Sequence, residues 1–291
     1  RQPPQNRPGR FRWISRQDNC RIASFLGGAG TEFLCGGGFQ PDGTIVMVGN
    51  SLGPSLDLGG VKEAVLGSDA AAPAAPTFAE KEKPSWRHAN ATGFIARLSP
   101  DAKRVLSVVR FPWQSAAITA ALVDEKDGSI TIAGKVGTGL AALGAPVGAL
   151  PPVAVPEEGG KPVKGAVCDH HFIAKLSPDG GKVVWLHARQ APSHCPTLIK
   201  RGDGTIGLGS ADLITLDSAG KVVATLGVSG GIRDQASVSP VDGTIAIGGE
   251  YNSPTGREPY RNPVLSILEP TGKLRYRLYD WTGPYVGLDN S

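Results

Sequence analysis

The chain has 291 residues, of which 40% are hydrophobic, 40 are Gly and 24 are Pro; that length suits two average domains or one large all-β domain, and the apolar share excludes disorder throughout. Its uninterrupted apolar stretches are only a few residues long, far short of the ~20 that a membrane-spanning helix requires. The net charge of +4 is thinly spread and argues against a dedicated nucleic-acid surface.

Residues 1–10, RQPPQNRPGR, form a basic, Pro-rich tail, and no acid occurs before Asp18. Such an arm is either solvated or drawn to an anionic neighbour. Because the chain starts at Arg1 and not at Met, the expectation is a mature, exported protein whose targeting peptide has been removed. From residue 11 to 291 the pattern is β. FRWIS (11–15) and RIASFLG (21–27) read as a third and a fourth strand without the two that should precede them. Asp-Gly then recurs at Asp42-Gly43, Asp127-Gly128, Asp203-Gly204 and Asp242-Gly243, each time opening a β-rich run: TIVMVGN, SITIAGK, TIGLGS and TIAIGGE. Asp-Gly ahead of alternating apolar residues is a hairpin signal, since Gly accepts the positive φ of the turn. A strand-turn-strand element follows each run, at 93–111, 171–189, 212–227 and 263–281, with Pro, Asp or Gly in the turn and β-branched residues around it.

The unit is therefore four strands, repeated four times, and the last two Asp-Gly turns are spaced like the blades of a propeller, whose repeat is roughly 40 to 45 residues. The wider early spacings hold two insertions rich in Ala, Pro and Gly, 51–92 and 138–168, expected as loops on one rim. The fold expected is all-β: a β-propeller of four-stranded antiparallel blades, four of them complete plus an incomplete terminal one. TGPYVGLDNS (282–291) holds enough for one more strand, so the ring is either five-bladed with a patchwork blade or a partial propeller completed by another chain or by further sequence of a longer polypeptide. A helical bundle is excluded by the composition, and no amphipathic helix separates the strand pairs as a parallel α/β fold would need.

The stretches RIASFLGGAGTE (21–32), PDGTIVMVGNS (41–51) and FIARLSPDAKRVLSV (94–108) together resemble the bacterial SBBP-type β-propeller repeat. That unit runs from a strand ending in Leu-Gly-Gly, through an Asp-Gly turn and a Val-Gly strand, to a Phe-Ile-Ala-Lys-Leu-Ser-Pro hairpin. The likeness extends over about 20–280 and departs in the third repeat, where no Phe opens the third strand, and in the two insertions. It implies an exported or surface-exposed propeller and brings no catalytic motif with it.

Chemistry-bearing residues cluster in two places. Cys168, His170 and His171, with His187, His194 and Cys195 downstream, gather four of the five histidines in one short stretch. Cys and His suit zinc or another borderline metal, yet the spacing matches no CxxC or HxxxH pattern. A divalent metal and purely structural roles are both open, with no cofactor the simpler expectation. The even set of cysteines suits two disulfides, Cys20–Cys35 and Cys168–Cys195, in an oxidising compartment. The second cluster is aromatic: Tyr251, Tyr260, Tyr276, Tyr279 and Tyr285, with Trp281 among them, are either core between blades or a contact surface for a partner protein, with a glycan as the second ligand class. Asn90-Ala91-Thr92 fits a glycosylation sequon. Gly36-Gly37-Gly38 reads as a place where neighbouring strands approach closely near the propeller axis. The sequence contains no GxSxG elbow, P-loop, HExxH or EF-hand loop.

The reading that follows is a secreted, cell-surface or periplasmic bacterial propeller, non-enzymatic, acting as a structural or protein-interaction module, with a partner protein or neighbouring copy completing the ring. The alternative is a propeller enzyme, either a lyase or hydrolase on polysaccharide or a metal-dependent oxidoreductase using the His cluster, since the fold hosts both classes.

Overall fold

The computed structural model describes residues 32–51, 61, 63–66, 92–111, 116–136, 147–152, 169–191, 195–201, 203–210, 212–228, 235–239, 241–252, 261–279 and 288–289. Every regular element among them is a β-strand, as the turn and β-branch pattern requires. The chain divides into two compact units. The first comprises Arg1–Thr131, Thr138–Ala145 and Leu176–Val184; the second comprises Ile132–Gly137, Pro146–Lys175 and Trp185–Ser291.

The first unit carries β1 (Glu32–Phe39), β2 (Ile45–Ser51), β3 (Glu63–Val65), β4 (Thr92–Leu98), β5 (Val105–Arg110) and β6 (Ala116–Val123). They lie in the order β3-β5-β4-β2-β1-β6. The meander β1-β2-β4-β5 is antiparallel at each step. In β4, Phe94, Ile95 and Ala96 are all buried, so the strand is covered on both faces and its sequence reads as an apolar run and not an alternation. β1 meets β6 in parallel, Gly36 opposite Ala121 and Gly37 opposite Leu122. A Cβ on Gly36 would lie 2.5 Å from the Ala121 carbonyl oxygen, so the glycine run does permit a close approach of two strands.

In the second unit the sheets are β7-β9-β10-β8, β11-β12-β13-β14 and β15-β16-β17-β18-β19. β7 is Ile130–Val136, its first residues falling in the first unit; β8 is Val147–Ala149, β9 Asp169–Leu176 and β10 Val183–Ala191. The next sheet is β11 (Thr197–Lys200), β12 (Ile206–Gly209), β13 (Asp212–Leu216) and β14 (Val222–Gly227); the last is β15 (Gln235–Val238), β16 (Ile245–Asn252), β17 (Arg261–Leu268), β18 (Leu274–Tyr279) and β19 (Leu288–Asp289). Ile199 and Leu213 of one sheet and Val238, Ile245, Ile247 and Leu268 of the other, with Val228 between, form one buried apolar cluster. This is face-to-face packing of successive sheets, each contributing one side of its pleat.

Two expectations need amending. The insertions are not purely loop: β3, from 51–92, adds to β5 in parallel, and β8, from 138–168, adds to β10 in parallel. An exposed edge offers unpaired backbone groups, and the passing chain satisfies three residues' worth of them. The C-terminal strand does not open a new sheet either. β19 extends the last one, Arg277 opposite Asp289 and Leu278 opposite Leu288.

The hairpin turns share one chemistry. In the Asp-Gly turns the aspartate Oδ1 accepts the N–H two residues on: Thr44 to Asp42, Ser129 to Asp127, Thr205 to Asp203 and Thr244 to Asp242, at 2.8–3.0 Å. The second kind of turn, joining third to fourth strand, needs a left-handed residue, supplied by Gly180, Gly220 and Gly272 but by Ala102 (φ 55°) in the first repeat. An L-residue with a Cβ is strained there. Ala102→Gly is therefore expected to stabilise the protein by about 1 kcal/mol, read as a rise in the urea midpoint with unchanged slope; a fall would refute the strain.

These same hydrogen bonds make the turn carboxylates strong acids. The Ser239 hydroxyl, followed by the Thr244 N–H and hydroxyl, lowers Asp242 from its ordinary 3.8 to about 2. The Ser99 hydroxyl lowers Asp101, and the Thr44 N–H lowers Asp42. Since the folded state binds fewer protons than the unfolded, the stabilisation is whole above about pH 4 and is lost as pH falls through the folded values. Melting curves of the parent protein and Asp242→Asn should converge as pH drops from about 4 to about 2; a constant gap across that window would exclude the linkage.

Candidate functional site

In the first unit, side chains at the turn end of the sheet form a polar hub. Gln40, buried where β1 leaves the sheet, donates from Nε2 to the carbonyls of Gly128 (2.8 Å) and Pro178 (2.5 Å), and its Oε1 accepts the Arg97 Nε–H at 3.2 Å. One amide thus ties together the turns at 40–44, 124–129 and 177–182. Asp179, held below the usual carboxylate range chiefly by the Ser177 hydroxyl, also feels the Arg97 charge. Both ends of the Gln40 amide are engaged, and the role of the hub is positional: it fixes the relative height of three turns. Higher in the sheet, Asn50 clamps β6, accepting the Ile118 N–H at 2.8 Å and donating to the Ile118 carbonyl at 2.7 Å. Cys35 Sγ lies 3.0 Å from that carbonyl and 3.1 Å from Asn50 Nδ2.

The second unit buries a charge pair. Arg189 on β10 holds both carboxylate oxygens of Asp212, the first residue of β13, and Nη1 also donates to the Pro151 carbonyl at 3.2 Å. The two side chains are 3% and 0% exposed, so the bidentate geometry is what repays their desolvation. Beside the same strand end, Ser210 Oγ lies 3.1 Å from His171 Nδ1, and both residues are wholly buried. A serine in contact with an imidazole is the pairing on which nucleophilic catalysis is built, but a fully buried pair offers no face to a substrate. Asp212→Ala would strand the Arg189 guanidinium in the interior and is expected to cost roughly 3–5 kcal/mol. An Arg189→Met, Asp212→Leu double variant should recover most of that loss in chemical denaturation; equal losses in both would refute the pairing argument.

The two histidines whose side chains are described have different neighbours. His171 faces Ser210, whereas His187 stands beside Trp185 with ring centroids 5.4 Å apart. Burial pushes the His187 pKa below its usual 6.5, and the Trp185 indole N–H donates to the Ser218 carbonyl at 3.3 Å. Among the described residues, no three His, Cys, Asp or Glu side chains are gathered as a metal would need. Cys168, His194 and the side chain of His170 lie outside the described residues, as does Cys20, so neither expected disulfide is tested. Of the aromatic cluster, the side chains of Tyr251, Tyr260, Tyr279, Trp281 and Tyr285 likewise lie outside. Tyr276 is described: it is 38% exposed on β18 and sits opposite Ile267, with Leu278 opposite Leu265, itself 40% exposed. These four share one face of the sheet, the reverse of the face that carries Ile245, Ile247 and Leu268 into the core.

Sequence reasoning missed Gln40, Arg97, Arg189 and Asp212. The available signal was an acid heading the apolar run DLITL and an Arg ending the fourth strand of the preceding repeat, since a charge inside a buried strand requires a partner.

No protein-family profile matches the sequence, and no curated protein matches it. Among solved structures, a quinohemoprotein alcohol dehydrogenase from Pseudomonas putida HK5 aligns at 9% identity and a TM-score of 0.39 over 82% of this chain; the chain spans 45% of that enzyme. A protein of unknown function from Dyadobacter fermentans aligns at 12% identity, TM-score 0.42, over 90% of this chain and 78% of its own. BamB from Moraxella catarrhalis aligns at 12% identity, TM-score 0.22, over 88% and 92%. All three TM-scores fall below 0.5, so the architecture rests on the chain's own strands.

Proposed function

We propose that the chain is an exported, non-enzymatic β-propeller, built of four four-stranded blades and an incomplete one, that works as a protein-interaction module. The observation that carries this reading is the reverse face of the last sheet. Leu265, Ile267, Tyr276 and Leu278 line it, with Leu265 and Tyr276 each more than a third exposed, while the opposite face of the same strands is core. A sheet interleaved in a propeller has both faces covered. One left apolar and open is suited to another protein's apolar surface, with Tyr276 as a low-entropy aromatic anchor. Four repeats of the same meander, and the parallel meeting of β1 with β6, support radial stacking of blades. The SBBP-type motifs and the even cysteine set support export. The partner's chemistry follows from the face: a largely uncharged β-surface or apolar loop on a separate protein.

A photo-crosslinking amino acid at position 276 tests this in the native cell. Discrete protein adducts are expected from that site and not from the exposed turn position 103. Absence of adducts, or the same adducts from both positions, would overturn the reading.

A further inference from the structure

The two insertions use the same stretch of backbone in their respective sheets. In the first repeat the turn between β4 and β5 is closed by the Ser99 N–H on the Arg104 carbonyl, and in the second the turn between β9 and β10 is closed by Ser177 on Lys182. Val108, Val109 and Arg110 therefore correspond to Leu186, His187 and Ala188. β3 pairs in parallel with the first three and β8 with the second three. The residue after each short strand is a buried leucine, Leu66 or Leu150, whose N–H donates to the carbonyl of Arg110 at 2.8 Å or of Ala188 at 3.0 Å. Two different tripeptides thus take one register with one kind of anchor.

The fit differs at the middle residue. Ala64 lies opposite Val109, but Gly148 lies opposite His187, and a Cβ on Gly148 would stand 2.1 Å from the His187 Nδ1. The imidazole is held from behind: it packs on Trp185 with ring centroids 5.4 Å apart and meets Gly220, where a Cβ would fall 2.7 Å from the indole. Gly148 is not among the glycines of positive φ, so the ring and not the backbone excludes a side chain there.

β8 is also the lighter of the two strands. β3 and its leucine bury both Val65 and Leu66, whereas Val147 is 44% exposed, Ala149 is exposed, and Leu150 alone anchors β8. The run ends at Pro151-Pro152, which have no N–H to give, although β10 continues to Ala191. One leucine and a few backbone bonds, set against the entropy of ordering the residues that make them, describe a segment that opens locally before its sheet does.

We propose that the outer edge of β10 is a strand-accepting site, filled in cis by β8. The partner it fits is an extended segment of another protein, parallel to β10, with glycine opposite His187, leucine two residues later and no proline behind it. Such a segment makes the bonds that β8 makes and continues along Arg189–Ala191, where β8 stops. The Arg189 Nη1 that donates to the Pro151 carbonyl at 3.2 Å takes the corresponding carbonyl of the partner. Backbone bonds supply affinity, and the demand for glycine supplies selectivity. The site uses none of the residues of the apolar face around Tyr276 and does not depend on it.

The test opens the edge and offers it peptides. In full-length Gly148→Val the new side chain meets His187. The amide of Ala188, on the side of β10 that faces β8, should then exchange about tenfold faster than in the parent, while the β15–β16 amides keep their rates. A Pro-Val-Gly-Ala-Leu-Ala-Ala peptide should bind this variant and restore the protection of Ala188. It should bind the parent about tenfold more weakly, because the cis segment competes, and the same peptide with Val for Gly should bind the variant about tenfold more weakly. Adding His187→Ala to Gly148→Val should close the edge again. Unchanged exchange at Ala188, no binding of the glycine peptide, equal binding of both peptides, or a parent that binds as tightly as the variant would overturn the proposal. Should Gly148→Val fail to fold, Leu150→Asp releases the same segment through its anchor, and the same two peptides decide.

Discussion

A strand with apolar residues on both faces cannot stay at a surface, and that requirement governs the whole chain. β4 shows it most plainly: Phe94, Ile95 and Ala96 are consecutive, point to alternate sides and are all buried. Covering both sides demands a sheet on each flank, and a chain of repeated meanders supplies sheets one after another. Large apolar side chains remain exposed at single positions on several sheets: Phe39 on β1, Val184 on β10, Val223 on β14, Leu265 and Tyr276 on the last.

Close packing of sheets also sets where polar groups are tolerated. Asn50 and Gln40 are buried because each meets several backbone groups from elements distant in sequence, and Arg189 and Asp212 because each completes the other. These contacts add register to a hydrophobic association that is otherwise non-directional. The turns act at a different level. Their carboxylates are exposed and accept hydrogen bonds from local N–H and hydroxyl groups, which shape each hairpin from within.

Much of the fold was legible in the sequence for local reasons. Asp-Gly marks a turn whose φ is fixed by the residue itself, and all four turns occur where the dipeptide places them. The glycine run 36–38 announced a close approach because nothing else explains three consecutive missing side chains. Long-range polar pairs were illegible: Arg189 and Asp212 are 23 residues apart with two strands, β11 and β12, between them, and no local pattern says which buried charge meets which. The strands β3 and β8 were hidden for another reason. GluAlaVal and ValGlyAla are too short to show a period, and only the free edge they pair with makes them strands. Of the His and Tyr clusters, only His171, His187, Cys195 and Tyr276 have side chains among the described residues. His171 meets Ser210, just before β13, whereas His187 stands beside Trp185 near the β13–β14 turn at Gly220, so the two keep different neighbours.

The two short parallel strands also bear on how the molecule keeps company with copies of itself at high concentration. β3 and β8 occupy the outer edges of their sheets, and β19 that of the last, leaving β14 as a terminal strand of its four-stranded sheet among the described residues. Val223 is 53% exposed there, flanked by Lys221 and Thr225. In a fold that turns its other fourth strands into blind seams, this rim carries the colloidal risk. Its lysine is the gatekeeper, a desolvation cost set against any strand that approaches it.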